Sequence, residues 1–175
     1  PAVPSVLAAI TRPDTEPRIN PEVLRASLTP DVLAQSQTRL ILLQLPSRDA
    51  VAVVSQVGSN GSIETYLTAD GISFSLDAGL LVATRGLGFD LMTADITETL
   101  TALAGRLPSA VRIHRHLDGE NQIVTQSFVC TLRFAHPKTA QEICKSTGQS
   151  FVNSYTFNET GRMMASSQWI SPQLG

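Results

Sequence analysis

From residue 58 onward the chain is cut at short intervals by turns that carry glycine. They read Gly58-Ser59-Asn60-Gly61, Ala69-Asp70-Gly71, Asp77-Ala78-Gly79, Asp118-Gly119 and Asn158-Glu159-Thr160-Gly161. No other feature limits the possible folds so sharply. The pieces between the first three of these turns are too short for stable helices, and Asn-Gly between alternating runs is the strongest short hairpin signal. Residues 51–57 are rich in β-branched side chains. Residues 62–68 set Ile63, Thr65 and Leu67 against Ser62, Glu64 and Tyr66, and residues 72–77 set Ile72, Phe74 and Leu76 against Ser73, Ser75 and Asp77. With residues 80–84 these segments predict an antiparallel meander.

The same signals recur downstream. Residues 111–117 alternate Val111, Ile113 and Arg115 with Arg112, His114 and His116. Residues 123–134 follow as a strand, and residues 150–157 and 162–170 read as a C-terminal hairpin. Helix signals are few. Asn20-Pro21 is a capping side chain followed by proline at the first helical position, and Thr29-Pro30-Asp31 divides that stretch into two short helices. Residues 96–107, with Asp95 or Thr97 capping and Leu100, Leu103 and Ala104 on one face, form the substantial internal helix, which Pro108 stops. The expected fold is mainly β: a curved antiparallel sheet or open, barrel-like meander with two or three short helices, one of them N-terminal. Residues 1–18 are proline-rich and read as an extended arm, and residues 19–175 as a single β domain.

Composition removes several function classes. Of 175 residues, 42% are hydrophobic and 16% charged, which allows a full core and argues against disorder. A net charge of −2 supplies no basic field for nucleic acid. The longest apolar runs, residues 40–43 and 50–54, are far shorter than the ~20 residues of a spanning helix. The chain begins at Pro1, as expected of a processed or trimmed piece. Cys130 and Cys144 suit either one bridge or two inert core thiols.

The stretch GLLVATRGLGFDLMTADI, residues 79–96, invites a phosphate-loop reading. It lacks the third glycine of a dinucleotide turn and the Lys-Ser/Thr of a Walker loop. The simpler reading is a bend: Gly86 and Gly88 take unusual backbone conformations, and Arg85 is held by a carboxylate such as Asp90. Thr84, Arg85, Gly86, Gly88 and Asp90 are thus a structural motif and a candidate binding edge. His114 and His116 have a spacing used by some metal sites, but no cysteine or carboxylate completes a set. They read as two exposed strand histidines, with no metal and no cofactor expected. No Gly-x-Ser-x-Gly elbow is present, so no catalytic residue is assigned.

Taken in order, Asp70-Gly71, the segment GLLVATRGLGFDLMTAD, the pair Cys130 and Cys144, NSYTF (residues 153–157) and SSQWISP (residues 166–172) resemble the YjbF/GfcB lipoproteins of exopolysaccharide and group 4 capsule gene clusters. The resemblance runs from about Arg39 to the C-terminus. It implies a non-enzymatic lipoprotein of the Gram-negative periplasm, tethered to the outer membrane by an N-terminal lipid anchor that this chain lacks. It also implies partnership with an outer-membrane β-barrel protein and other periplasmic export components. An alternative is direct binding of the polysaccharide, with Tyr66, Tyr155 and Trp169 as stacking candidates. Trp169 is expected to be mostly buried beside Ser167 or Met163. In such an oxidising compartment Cys130 and Cys144 are expected to form a disulfide.

Overall fold

The computed structural model describes residues 20–117, 120 and 122–175. The Pro-rich arm and the Asp118-Gly119 turn lie outside the described residues. Strands dominate, arranged as two curled antiparallel sheets with strand orders β1-β2-β3-β4-β5 and β11-β10-β9-β8-β7-β6. By its contacts the chain divides into two compact units, residues 20–74 and Ser75–Gly175, with the division falling inside β4 (Ser73–Asp77).

In the first unit, Asn20 accepts the backbone N–H of Glu22 at 2.8 Å and starts α1 (Pro21–Ser27). Thr29 caps α2 (Pro30–Gln35) in the same way. Both helices carry proline at their start, where its missing N–H costs nothing. β1 (Leu40–Leu45) pairs with β2 (Ala50–Asn60), and β2 pairs with β3 (Ile63–Leu67) across the Asn60-Gly61 hairpin. Leu24 of α1 closes a small core with Val51 and Val53, packed by Leu28, Leu40 and Leu42.

In the second unit, β5 (Leu80–Arg85) and β6 (Leu91–Asp95) flank the Gly86-Leu87-Gly88 bend. α3 (Thr97–Gly105) then leads into the hairpin-connected ladder of β7 (Ser109–Leu117), β8 (Ile123–His136), β9 (Thr139–Ser146), β10 (Gln149–Phe157) and β11 (Met163–Ser167). α3 differs from expectation in its buried face. Thr99 and Ala102 are buried while Ala104 is exposed, because Ala102 docks on Ala110 and Leu132 of the sheet.

Register fixes which residues meet inside this sheet. Ala110 lies opposite Cys130, Cys130 opposite Cys144, and Cys144 opposite Phe151, a single row across four strands. Cys130 and Cys144 are disulfide-bonded, which settles the alternatives left open by the sequence. One step along, Leu132, Glu142 and Asn153 form the next row.

Candidate functional site

The inward face of β7 does not follow the usual pattern of apolar inside and polar outside. Ala110, Arg112, His114 and His116 point inward and are buried, while Val111 and Arg115 are exposed on the other face. Alternation had grouped these residues correctly, but it assigned the histidines to solvent. Both are instead buried: His114 is 0% exposed and His116 is 9% exposed. They are covered because the C-terminal segment after β11 folds back and lays Trp169 over them.

Glu142 of β9 organises the polar part of this face. Its Oε2 accepts Arg112 Nη1 at 2.7 Å, Tyr155 Oη at 2.6 Å and Asn153 Nδ2 at 2.9 Å, and its Oε1 accepts Thr99 Oγ1 at 2.9 Å. Four elements, α3, β7, β9 and β10, therefore meet at one carboxylate. Burial opposes ionisation of Glu142. The Arg112 charge and the hydrogen bonds from Tyr155, Asn153 and Arg112 outweigh it, so its pKa lies below the usual carboxylate value. Burial likewise pushes the Tyr155 phenol well above its ordinary range. A buried carboxylate that accepts four hydrogen bonds, one of them from its own cation, is built to hold structure rather than to exchange protons.

Beside this network lies an aromatic cluster. Trp169 stacks on Phe151 with ring centroids 4.5 Å apart and lies 5.7 Å from His114 and 5.4 Å from His116. Phe128 and the Cys130–Cys144 bridge complete the packing. Burial pushes the His114 pKa down to about 2, with the Arg112 charge and then His116 adding to the effect, and burial also lowers that of His116. Both imidazoles are neutral at ordinary pH. The sulfur atoms of Cys130 and Cys144 and a Glu142 oxygen gather within 4.8 Å of one another, but the disulfide leaves no thiolate to ligate a metal.

The remaining sequence candidates are distributed differently from expectation. Tyr66 and Tyr155 are each 1% exposed, so neither offers a face for sugar stacking. Tyr66 donates to Glu64, which also binds Arg39, and Tyr155 donates to Glu142. Trp169 is mostly covered, as expected, and lies beyond the end of β11, where its ring neighbours are His114, His116, Phe128 and Phe151.

Nor does an Arg85–Asp90 pair hold the bend. Asp90 instead accepts the Thr84 hydroxyl at 2.8 Å and the backbone N–H groups of Gly86 at 3.0 Å and Leu87 at 3.2 Å. Gly86, at φ 91°, turns its N–H toward that carboxylate, which leaves Asp90 saturated from within the loop. The exposed Arg85 guanidinium bonds the carbonyls of Thr84, Leu91 and Met92.

One residue overlooked in the sequence connects the two most distinctive segments. Gln168 accepts Leu81 N–H through Oε1 at 2.8 Å and donates Nε2 to the Gly79 carbonyl, also at 2.8 Å. Its amide thus imitates a strand residue paired to the start of β5. A Cβ at Gly79 would come within 2.8 Å of Met163 Sδ, so glycine permits this close approach. The next residue, Trp169, donates its backbone N–H to Asn153 Oδ1 at 2.8 Å, and Asn153 in turn binds Glu142.

The family described as "Group 4 capsule polysaccharide lipoprotein gfcB, YjbF" matches residues 22–175. The chain belongs to this family. Among solved structures it is similar to the hypothetical lipoprotein YmcC from Escherichia coli (K12), with a TM-score of 0.69 and 16% sequence identity over 89% of this chain and 91% of that one. That likeness speaks for the fold. No curated protein matches. In this chain the Thr84–Asp90 bend joins β5 to β6, and Gln168 ties the C-terminal segment to the start of β5.

Arg112→Met should destabilise the folded chain by about 3–5 kcal/mol, because it leaves Glu142 charged and buried without its cation. Arg112→Met/Glu142→Gln should cost less than the single change, as read by urea denaturation. Asp90→Ala should cost about 1–3 kcal/mol by stranding two backbone donors, against about 1 kcal/mol or less for Arg85→Ala. For the histidines the sign is set by depressed folded-state pKa values. The unfolded chain takes up protons below about pH 6.5 while the folded chain does not, so stability is fully present above that pH and falls as pH drops. The melting temperature should therefore decline between pH 6.5 and 5, above the range where carboxylates titrate, and His114→Phe/His116→Phe should flatten that slope.

Proposed function

We propose that this chain is a non-enzymatic accessory lipoprotein of exopolysaccharide or capsule secretion, facing the periplasm from an outer-membrane anchor and acting through protein–protein contacts. The observation that carries this reading is the outward face of the second sheet. Val111 lies directly opposite Val129 and Ile143 opposite Val152, and Val129 and Val152 are 67% and 51% exposed. The ionisable groups on the outward positions of β7–β10 are Arg115, Arg133, His136 and Lys145, with Asp95 of β6 beside Arg115 as the neighbouring carboxylate. Exposed aliphatic rows bordered by cations suit an apolar protein surface with an acidic rim.

The family's capsule association supports the setting, and the resemblance drawn from the sequence points to the outer-membrane β-barrel protein of the export cluster as the partner. Direct polysaccharide binding is disfavoured, because Tyr66 and Tyr155 are buried and Trp169 is stacked on Phe151. β-branched side chains provide no ring-stacking platform for sugars.

A photo-crosslinking residue placed at position 129 provides the test. It should crosslink to the cognate outer-membrane barrel in cells, and Val129→Asp/Val152→Asp should abolish the adduct and reduce surface polymer while leaving the melting temperature within a few degrees. Absence of the adduct, together with retention of purified polymer by the isolated chain, would contradict the contact reading and favour glycan binding.

A further inference from the structure

Among the described residues, six buried side-chain nitrogen and oxygen atoms have no hydrogen-bond partner, and five of them lie on the inward face of β7. They are Arg112 Nε and both ring nitrogens of His114 and His116. Arg112 has its charge answered by Glu142. The two imidazoles have no such answer. Each neutral ring carries one lone pair and one N–H, and each is at least nine-tenths buried. Polar groups buried without partners are costly, and their concentration on two side chains of one strand points to something that engages them.

The surroundings select what that can be. The two rings stand 5.7 Å apart in an edge arrangement, walled by Phe128, Phe151 and Trp169. Hard dications require a cage of oxygens, and structural zinc requires four nitrogen or sulfur ligands. The nearby cysteines are tied in a disulfide. Two imidazole nitrogens and the faces of aromatic rings instead suit a soft monovalent cation of low coordination number, with the Trp169 indole adding cation–π attraction.

We propose that His114 and His116, roofed by Trp169, form a two-histidine site for a soft monovalent cation of the copper(I) class. His116 is the more accessible ligand and lies nearer the C-terminal end of β7, while His114 is the inner one. Entry requires displacement of Trp169 from its stack on Phe151, which rotation of a half-buried side chain near the chain end can supply.

Silver(I) is the probe, since it needs no reductant that would open the Cys130–Cys144 bridge. Trp169 is the chain's single tryptophan, so its emission reports on this site alone. Titration of the disulfide-intact chain should quench that emission and saturate at one equivalent. His114→Gln and His116→Gln should each weaken the apparent affinity by about 100-fold or more, whereas His136→Gln, on the exposed β8–β9 turn, should leave it unchanged. Should His114→Gln fail to fold, His116→Gln carries the comparison. In the unaltered chain, the ring nitrogen resonances of both His114 and His116 should shift together at one equivalent. Unsaturable quenching, quenching retained by His116→Gln, or shifts confined to His136 would overturn the site.

Discussion

The Glu142 carboxylate is the point on which the second sheet depends. It is fully buried, and it is approached by Arg112 from one strand, Asn153 and Tyr155 from another, and Thr99 from α3. Any ion inside a protein must recover its lost hydration from fixed partners, and here that demand dictates where three other elements sit. α3 cannot slide without stranding Thr99, and β10 cannot slip by one residue without turning both Asn153 and Tyr155 away from the carboxylate. The bridge between Cys130 and Cys144 pins β8 to β9 one row away. Covalent and ionic constraints thus act on adjacent rows of one face.

The C-terminal segment extends that arrangement. Asn153 holds Glu142 through its amide nitrogen and Trp169 through its amide oxygen. Gln168 then reaches the start of β5 with both ends of its side chain. The two stretches that most resemble the YjbF family, around residues 79–95 and 166–172, are therefore in direct contact within the second unit. Their residue types make sense as a lock: glycine for close approach at Gly79, an amide that imitates backbone, and one large ring to close the aromatic cluster.

Much of the strand order was legible because turn chemistry and period-2 alternation are local signals. Asn60-Gly61 and the turn ending at Gly161 mark hairpins, and the expected strands fall within a few residues of the observed ones, whereas β6 and β9 were not expected from the sequence. Which face would be covered was not legible. Alternation shows that Arg112, His114 and His116 share a side of β7, but whether that side meets solvent depends on α3 and Trp169, which are brought there only by the tertiary fold. Val111 and Ile113 suggested the opposite assignment. Glu142 had no local mark either, since its partners lie 11 to 43 residues away in sequence. Arg85 and Asp90 were recognised as parts of one bend, yet Asp90 is saturated by its own loop before the guanidinium can reach it.

An interior face lined by an ion pair and two uncharged imidazoles is the central claim, and the protonation of His114 tests it most directly. Its ring resonances can be followed by NMR in the folded, disulfide-intact chain as pH is lowered from 8 to 4. Burial among Phe128, Phe151 and Trp169 predicts that His114 stays neutral throughout, with a pKa near 2. A titration midpoint close to 6.5 in the folded chain would show the ring in contact with water and contradict the account.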